Sequence, residues 1–218
     1  MRQKPIDSAG SASHRAAMRL RSLALVCAAA LVGACAPTPP LPARCAVGNL
    51  ERVGGPIALT DEQGRAVTEA DFADRPTLLY FGFANCPDVC PTALQVMRAA
   101  LDARPANAPP IHTAMVTVDP ERDTPAVLSQ YVASEAFPEG LRGLGGTPEQ
   151  VRAVTAKFAV YAQRREDPGS AAGYVVDHSR NLYLMDRQWR MAAIFPDSLA
   201  PAEMAACIDH ALAKRRQS

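Results

Sequence analysis

The sequence predicts an α/β domain with a central, mainly parallel sheet, an antiparallel hairpin at its edge, and helices flanking it. Three observations carry this expectation. TLLYFGFA (Thr77 to Ala84) and IHTAMVTVD (Ile111 to Asp119) are nearly continuous apolar runs of strand length. Such runs fit strands buried on both faces. Helical patterns follow each of them, and strands alternating with helices imply a parallel sheet covered on both sides. Near the end, YVVDHSRNLYLMD and WRMAAIFP read as two strands joined near Asp186 to Gln188, and this pair supplies the antiparallel edge.

Before the domain, Arg19 and Arg21 precede an apolar run from Leu23 to Val32. That run is shorter than the roughly 20 residues a membrane-spanning helix needs, and it has the layout of a secretory signal. It ends in Leu31-Val32-Gly33-Ala34-Cys35, small residues before a cysteine that resemble a bacterial lipobox, where cleavage leaves the cysteine lipidated. Residues 1–34 are therefore expected to be a lipoprotein-type signal peptide, with Met18 as a possible true start. Residues 35–50 are expected to hold the lipidated Cys35 and a proline-rich tether (APTPPLPAR, Ala36 to Arg44). Residues 51–218 are expected to form one domain.

Within the domain, Ile57 and Leu59 alternate with small or polar neighbours ahead of the turn DEQG, which reads as a short hairpin. Pro91 suits a first helical turn, and Leu94, Met97 and Leu101 follow at helical spacing until Pro105. Thr124-Pro125 opens a helix to about Ala136, and Thr147-Pro148 opens another to about Phe158. GLRGLGG reads as a short strand or turn between them, and RREDPGSAAG as a polar loop. Pro201 to about Lys214 closes the chain as a helix, basic at its C-terminal end as the helix dipole favours.

The whole chain has 23 basic and 22 acidic residues. Residues 1–34 hold five of the former and one of the latter, so the remainder carries 18 against 21, a net −3. No long basic run suggests nucleic acid. Export makes disulfides admissible, and Cys45, Cys86, Cys90 and Cys207 remain once Cys27 and Cys35 are assigned to the signal and the lipid. Cys45 and Cys207 are expected to pair, tying the N-terminal segment to the last helix.

CPDVCP places Cys86 and Cys90 after a buried strand and at a helix N-terminus. A disulfide, a redox dithiol, a metal site and core filling are all open to such a pair. A fixed staple is the weakest of these, because a five-residue loop removes little unfolded-chain entropy. The helix end lowers a thiol's pKa, and two thiolates at this spacing offer soft ligands to one ion.

At CPDVCP, VTVDPERDTP (Val116 to Pro125) and YVVDHSRNLYLMD (Tyr174 to Asp186) the chain resembles the Sco/SenC family. The resemblance implies a thioredoxin-like fold and a copper ion held by Cys86, Cys90 and His178. It also implies delivery of copper to the binuclear copper site of cytochrome c oxidase subunit II, or a similar cuproenzyme, or reduction of that site's cysteines. Two thiolates and one imidazole suit Cu(I) and can hold Cu(II). Oxidation of the pair would release the ion, so Cys86 and Cys90 double as a redox dithiol that a thioredoxin-like reductant could restore. The implied location is the bacterial cell membrane, through the lipid anchor, facing the periplasm.

Two other readings compete. One is a tethered thiol-disulfide oxidoreductase without copper, although the motif is CxxxC and no proline stands between Pro168 and Pro196 to face the cysteines. The other is a peroxidase with Cys90 as nucleophile in Val89-Cys90-Pro91-Thr92. Asp119 and Asp123 read equally as site rim and as turn chemistry. His112 and His210 read as structural or exposed, and Met97, Met115 and Met185 as core. Asp177 is a candidate to orient His178. Asp186-Arg187-Gln188-Trp189 stands where the family commonly has D-x-x-G, which raises a docking role for Trp189.

Overall fold

The computed structural model describes Cys45, Leu50, residues 52–169 and residues 173–215. The expected signal peptide, Cys35, and all of the tether except Cys45 and Leu50 lie outside these residues. The strands are β1 (Ala58–Asp61), β2 (Ala66–Thr68), β3 (Thr77–Gly82), β4 (His112–Thr117), β5 (Arg142–Gly145), β6 (Ala162–Glu166), β7 (Tyr174–His178), β8 (Asn181–Met185) and β9 (Met191–Pro196). The helices are α1 (Val89–Asp102), α2 (Pro125–Val132), α3 (Pro148–Lys157) and α4 (Pro201–Arg215).

Seven strands form one sheet in the order β2-β1-β5-β4-β3-β8-β9. Its centre, β5-β4-β3, is parallel. Both edges are antiparallel hairpins, β1–β2 and β8–β9. Every residue of β3 is buried, which is why its sequence shows no alternation. Register settles which helices share a face. Tyr80 pairs with Met115 and Met115 with Gly143, so these residues point the same way, as do Gly82, Thr117 and, across β5, Gly145. Leu128 of α2 lies over Gly143 and Gly145, and Cys90 of α1 lies over Gly82. Helices α1 and α2 therefore cover this face, with α4 packed on α1. On the other face, Phe158 at the end of α3 meets Phe81 and Tyr183. Met97, Met115 and Met185 are fully buried in the core, as expected.

Three local expectations change. Helix α2 stops at Val132 instead of running to Ala136. Pro138 disfavours helical backbone before it, and the turn brings buried Phe137 back to within 5.1 Å of the Tyr131 ring. RREDPGSAAG is not wholly loop. Residues 164–166 belong to β6, which pairs with β7 as a separate two-stranded ribbon. YVVDHSRNLYLMD is two strands, because β7 leaves the main sheet and β8 rejoins it beside β3.

The chain enters through a bond between Cys45 and Cys207, whose Cα atoms are 5.5 Å apart, so the expected pairing is present. Trp189 has a structural role in the turn between β8 and β9. Its backbone takes φ 58°, the conformation that a glycine would take at the end of the turn. Its indole Nε1 donates to Gly55 O at 2.9 Å and its ring lies 5.4 Å from Phe72. It pins the entering segment at the end of the sheet away from the cysteines.

Candidate metal centre

Cys86 follows the end of β3, and its backbone N–H bonds to Phe83 O at 3.3 Å, closing a tight turn. Helix α1 starts at Val89 with Asp88 as its N-cap, yet the Asp88 side chain caps nothing. The Cys86 sulfur takes that place and accepts from the Cys90 N–H at 3.3 Å. Cys90 belongs to the apolar stripe of α1, with Ala93, Leu94, Met97 and Ala100, and that stripe draws it into the protein. Both thiols are buried and free.

His178 is the last residue of β7, in the separate two-stranded ribbon. Its Nδ1 lies 2.9 Å from Ser179 O, a carbonyl that requires Nδ1 to carry the proton and leaves the Nε2 lone pair free. Nε2 stands 3.4 Å from Cys90 Sγ. The rings of Tyr80 and Phe83 meet the imidazole edge-on, with centroids 6.1 and 5.8 Å away. The expected orienting role of Asp177 is not seen, since its carboxylate turns outward to Arg165 at 3.2 Å.

The donor atoms of Cys86, Cys90 and His178 all lie within 4.8 Å of one another. Ligands 2.0–2.3 Å from one ion, at trigonal or tetrahedral angles, stand about 3.5–4 Å apart, so the three fit a shared ion with small adjustments. The thiols are not equivalent. Cys86 is held well below the ordinary thiol range, first by the hydrogen bond from the Cys90 thiol and then by backbone N–H groups, against the opposing effect of burial. Cys90 is pushed up by that same bond and by burial. The metal-free pair therefore keeps one proton, on Cys90, and places the anion on Cys86. A fully buried, protonated Cys90 is poorly placed as a peroxidatic nucleophile.

One segment connects the two halves of the centre. Asp123 Oδ2 accepts from Thr117 Oγ1 at 2.6 Å and from the Ala84 N–H at 3.0 Å, two residues before Cys86. Burial raises the Asp123 pKa, partly offset by those two bonds. Asp119 Oδ1 accepts from Tyr174 Oη at 2.8 Å, and the Arg122 guanidinium bonds Asp119 and Tyr174 O and lies 3.8 Å over the Tyr174 ring. Asp119 and Asp123 are buried at 4% and 3% exposure, so turn chemistry, not an exposed rim, describes both. Sequence reasoning missed Arg122 and Tyr174, whose roles need the ribbon to be placed first. His112 pairs with Asp74 at 2.6 Å, away from the site, and His210 is exposed.

A doubly covered sheet, with two thiols at the strand-to-helix turn and a histidine facing them, defines a thioredoxin-like protein with a candidate thiolate–imidazole metal site. The SCO1/SenC family model matches residues 47–213. The chain belongs to that family. It is similar to the mitochondrial SCO1 homolog 1 of Arabidopsis thaliana, 37% identical over 144 residues, covering 66% of this chain and 42% of the relative's own length. Among solved structures, it resembles copper-bound ScoI of Bradyrhizobium japonicum (38% identity, TM-score 0.63, 73% of this chain and 99% of that one). It also resembles copper-bound ScoI of Arabidopsis thaliana (33% identity, TM-score 0.67, 76% and 99%).

Proposed function

We propose that this protein is a copper metallochaperone that binds one copper ion through Cys86, Cys90 and His178 and serves assembly of a cuproenzyme, the binuclear copper site of cytochrome c oxidase subunit II being the target the family suggests. The convergence of three donor atoms within 4.8 Å carries the reading. Copper is the cargo. Cys86 offers an anion ready to meet it, Cys90 releases its proton on binding, and His178 presents a free Nε2 because Ser179 holds its other nitrogen. Three ligands satisfy Cu(I), whereas zinc usually takes a fourth.

A second reading rests on the split between the thiols. A low-pKa Cys86 next to a protonated Cys90 is also the arrangement of a disulfide reductase, in which the Cys86 thiolate attacks a target disulfide and Cys90 then resolves the mixed disulfide. The products are a reduced target and a Cys86–Cys90 disulfide, which a thioredoxin-like reductant would reopen. The same residues thus serve delivery, reduction of the target, or both.

Processing before Cys35 and lipidation of its sulfur would anchor the domain to the bacterial membrane, facing the periplasm, with residues 36–44 as tether. Labelled fatty acid incorporated by the wild type and lost in Cys35→Ala tests this. Among the described residues no helix is long and apolar enough to cross a membrane.

The deciding experiment is titration of the full-length chain, with Cys86 and Cys90 reduced, with Cu(I) against a competing chelator. One tight equivalent, weakened at least tenfold by His178→Ala and abolished by Cys86→Ser, is the expected result. Weak binding indifferent to His178 would leave the reductase reading, and the reduction potential of the pair would then measure it.

A further inference from the structure

Tyr80 has no part in the centre as described so far. It lies on β3 with no exposed surface. A buried phenol normally finds a hydrogen-bond partner, yet Tyr80 Oη has none among the described residues. Its surroundings belong to the metal centre. The ring meets the edge of His178, with centroids 6.1 Å apart. The contact is built into the strand. Gly82 is the next residue on the same face, and a Cβ there would fall 2.6 Å from Tyr80 Cε1 and 3.1 Å from Cys90 Sγ. Ring and sulfur therefore share the space that a side chain at 82 would occupy. A phenol hydroxyl is a hydrogen-bond donor as well as an acceptor.

We propose that Tyr80 is a positioning residue of the metal centre, whose hydroxyl donates a hydrogen bond to the Cys90 sulfur when that sulfur becomes a metal-bound thiolate. The inference rests on the copper reading. Without metal, the hydroxyl has no hydrogen-bond partner among the described residues. Binding forms a metal–sulfur bond at Cys90, breaks its S–H bond and releases that proton to water, while Tyr80 keeps its own. The new thiolate would be buried and would need a donor, and the Tyr80 ring already shares the space over Gly82 with that sulfur. A donor to a coordinating sulfur draws electron density from its lone pairs and tunes the metal.

Tyr80→Phe keeps the ring and removes one oxygen. The full-length chain, with Cys86 and Cys90 reduced, is titrated with Cu(I) against a competing chelator, and its sulfur-to-Cu(II) charge-transfer band is recorded after Cu(II) loading. The variant is expected to bind one equivalent still, with about tenfold weaker Cu(I) affinity, equal to about 1.4 kcal/mol. Its band is expected to move to longer wavelength. Its metal-free thermal midpoint is expected to stay or rise, because the change removes an unpartnered buried oxygen. A merely structural tyrosine would lower that midpoint and leave the band in place. The same band and affinity in both proteins would overturn the inference alone. A wild type that binds no copper would overturn the copper reading and the role of Tyr80 with it.

Discussion

Removing the Cys45–Cys207 bond should cost this domain a large part of its stability and leave copper binding intact. The perturbation is the pair Cys45→Ala with Cys207→Ala, alanine being chosen because Cys207 is 1% exposed and a hydroxyl there would be buried. The bond spans a sequence separation of 162. In the chain-entropy model a loop of that size is worth about 5 kcal/mol at 25 °C, and losses measured in other proteins fall at about 2–5 kcal/mol. Domains of this size are stable by about 5–15 kcal/mol in all. Urea unfolding of oxidised wild type and of the variant, followed by circular dichroism, should show a lower midpoint and a loss of about 3–5 kcal/mol. The slope should rise, because an unlinked unfolded chain exposes more surface. A loss below about 1 kcal/mol would refute the loop-entropy reasoning and mean that the unfolded chain stays closed without the bond. Loss of the copper equivalent would refute the separation between this bond and the site.

Gly82→Ala forces a Cβ within 2.6 Å of Tyr80 and 3.1 Å of Cys90 Sγ. It should destabilise by about 1–3 kcal/mol and weaken copper binding, read by urea unfolding and chelator competition. The anion on Cys86 predicts a thiolate absorbance near neutral pH in the reduced, metal-free protein, and Cys86→Ser should remove it. Its depressed pKa gives stability that is present above the ordinary thiol range and lost as pH falls through the folded value. Asp123 has the opposite sign, since its folded pKa is raised. Wild type should therefore be most stable relative to Asp123→Asn at low pH, and lose ground as pH rises through the folded Asp123 value. A pH series of unfolding midpoints checks this, and two parallel profiles would count against the shift.

What the sequence made legible follows from how each signal is written. Strands β3 and β4 announce themselves because burial on both faces removes every polar residue from their middles. Helices α2 and α3 are marked by Thr124-Pro125 and Thr147-Pro148, and both threonines do cap, accepting from Val127 N and Gln150 N. Cys86 and Cys90 are legible because their spacing is local. His178 was placed by the family resemblance, since nothing around Asp177-His178 says which strand ends beside the cysteines. Strand β6 was illegible for a physical reason. All five of its residues are exposed, so no apolar alternation marks it, and its pairing with β7 is the whole signal. The structural role of Trp189 was illegible because a bulky residue at positive φ is rare. Only the fold shows the Gly55 carbonyl that holds it there.

The centre is assembled from two pieces of backbone that share no main-chain hydrogen bonds with each other: the cysteine turn on the main sheet and the histidine on a separate ribbon. Their relative position is held in part by β8, which starts at Asn181 and joins the main sheet beside β3, and in part by residues 117–123. Asp123 bonds the Ala84 N–H on the cysteine side. Asp119 and Arg122 grip Tyr174 on the ribbon side. These bonds are buried or half-buried, where each is worth more than at the surface and where an unmatched group is costly. Asp119 and Asp123 therefore act at a distance from the ion. They keep Nε2 of His178 within ligand reach of Cys90 before any metal arrives, so that binding requires little rearrangement of the chain. The remaining freedom lies in the ribbon itself, whose strand β6 is fully exposed and has β7 as its only strand partner among the described residues. A partner that drew His178 away from the sulfurs would leave a two-thiolate site, which binds more weakly and is open to exchange. If the protein delivers copper as proposed, His178, on the ribbon and not on the main sheet, is the ligand through which release would run.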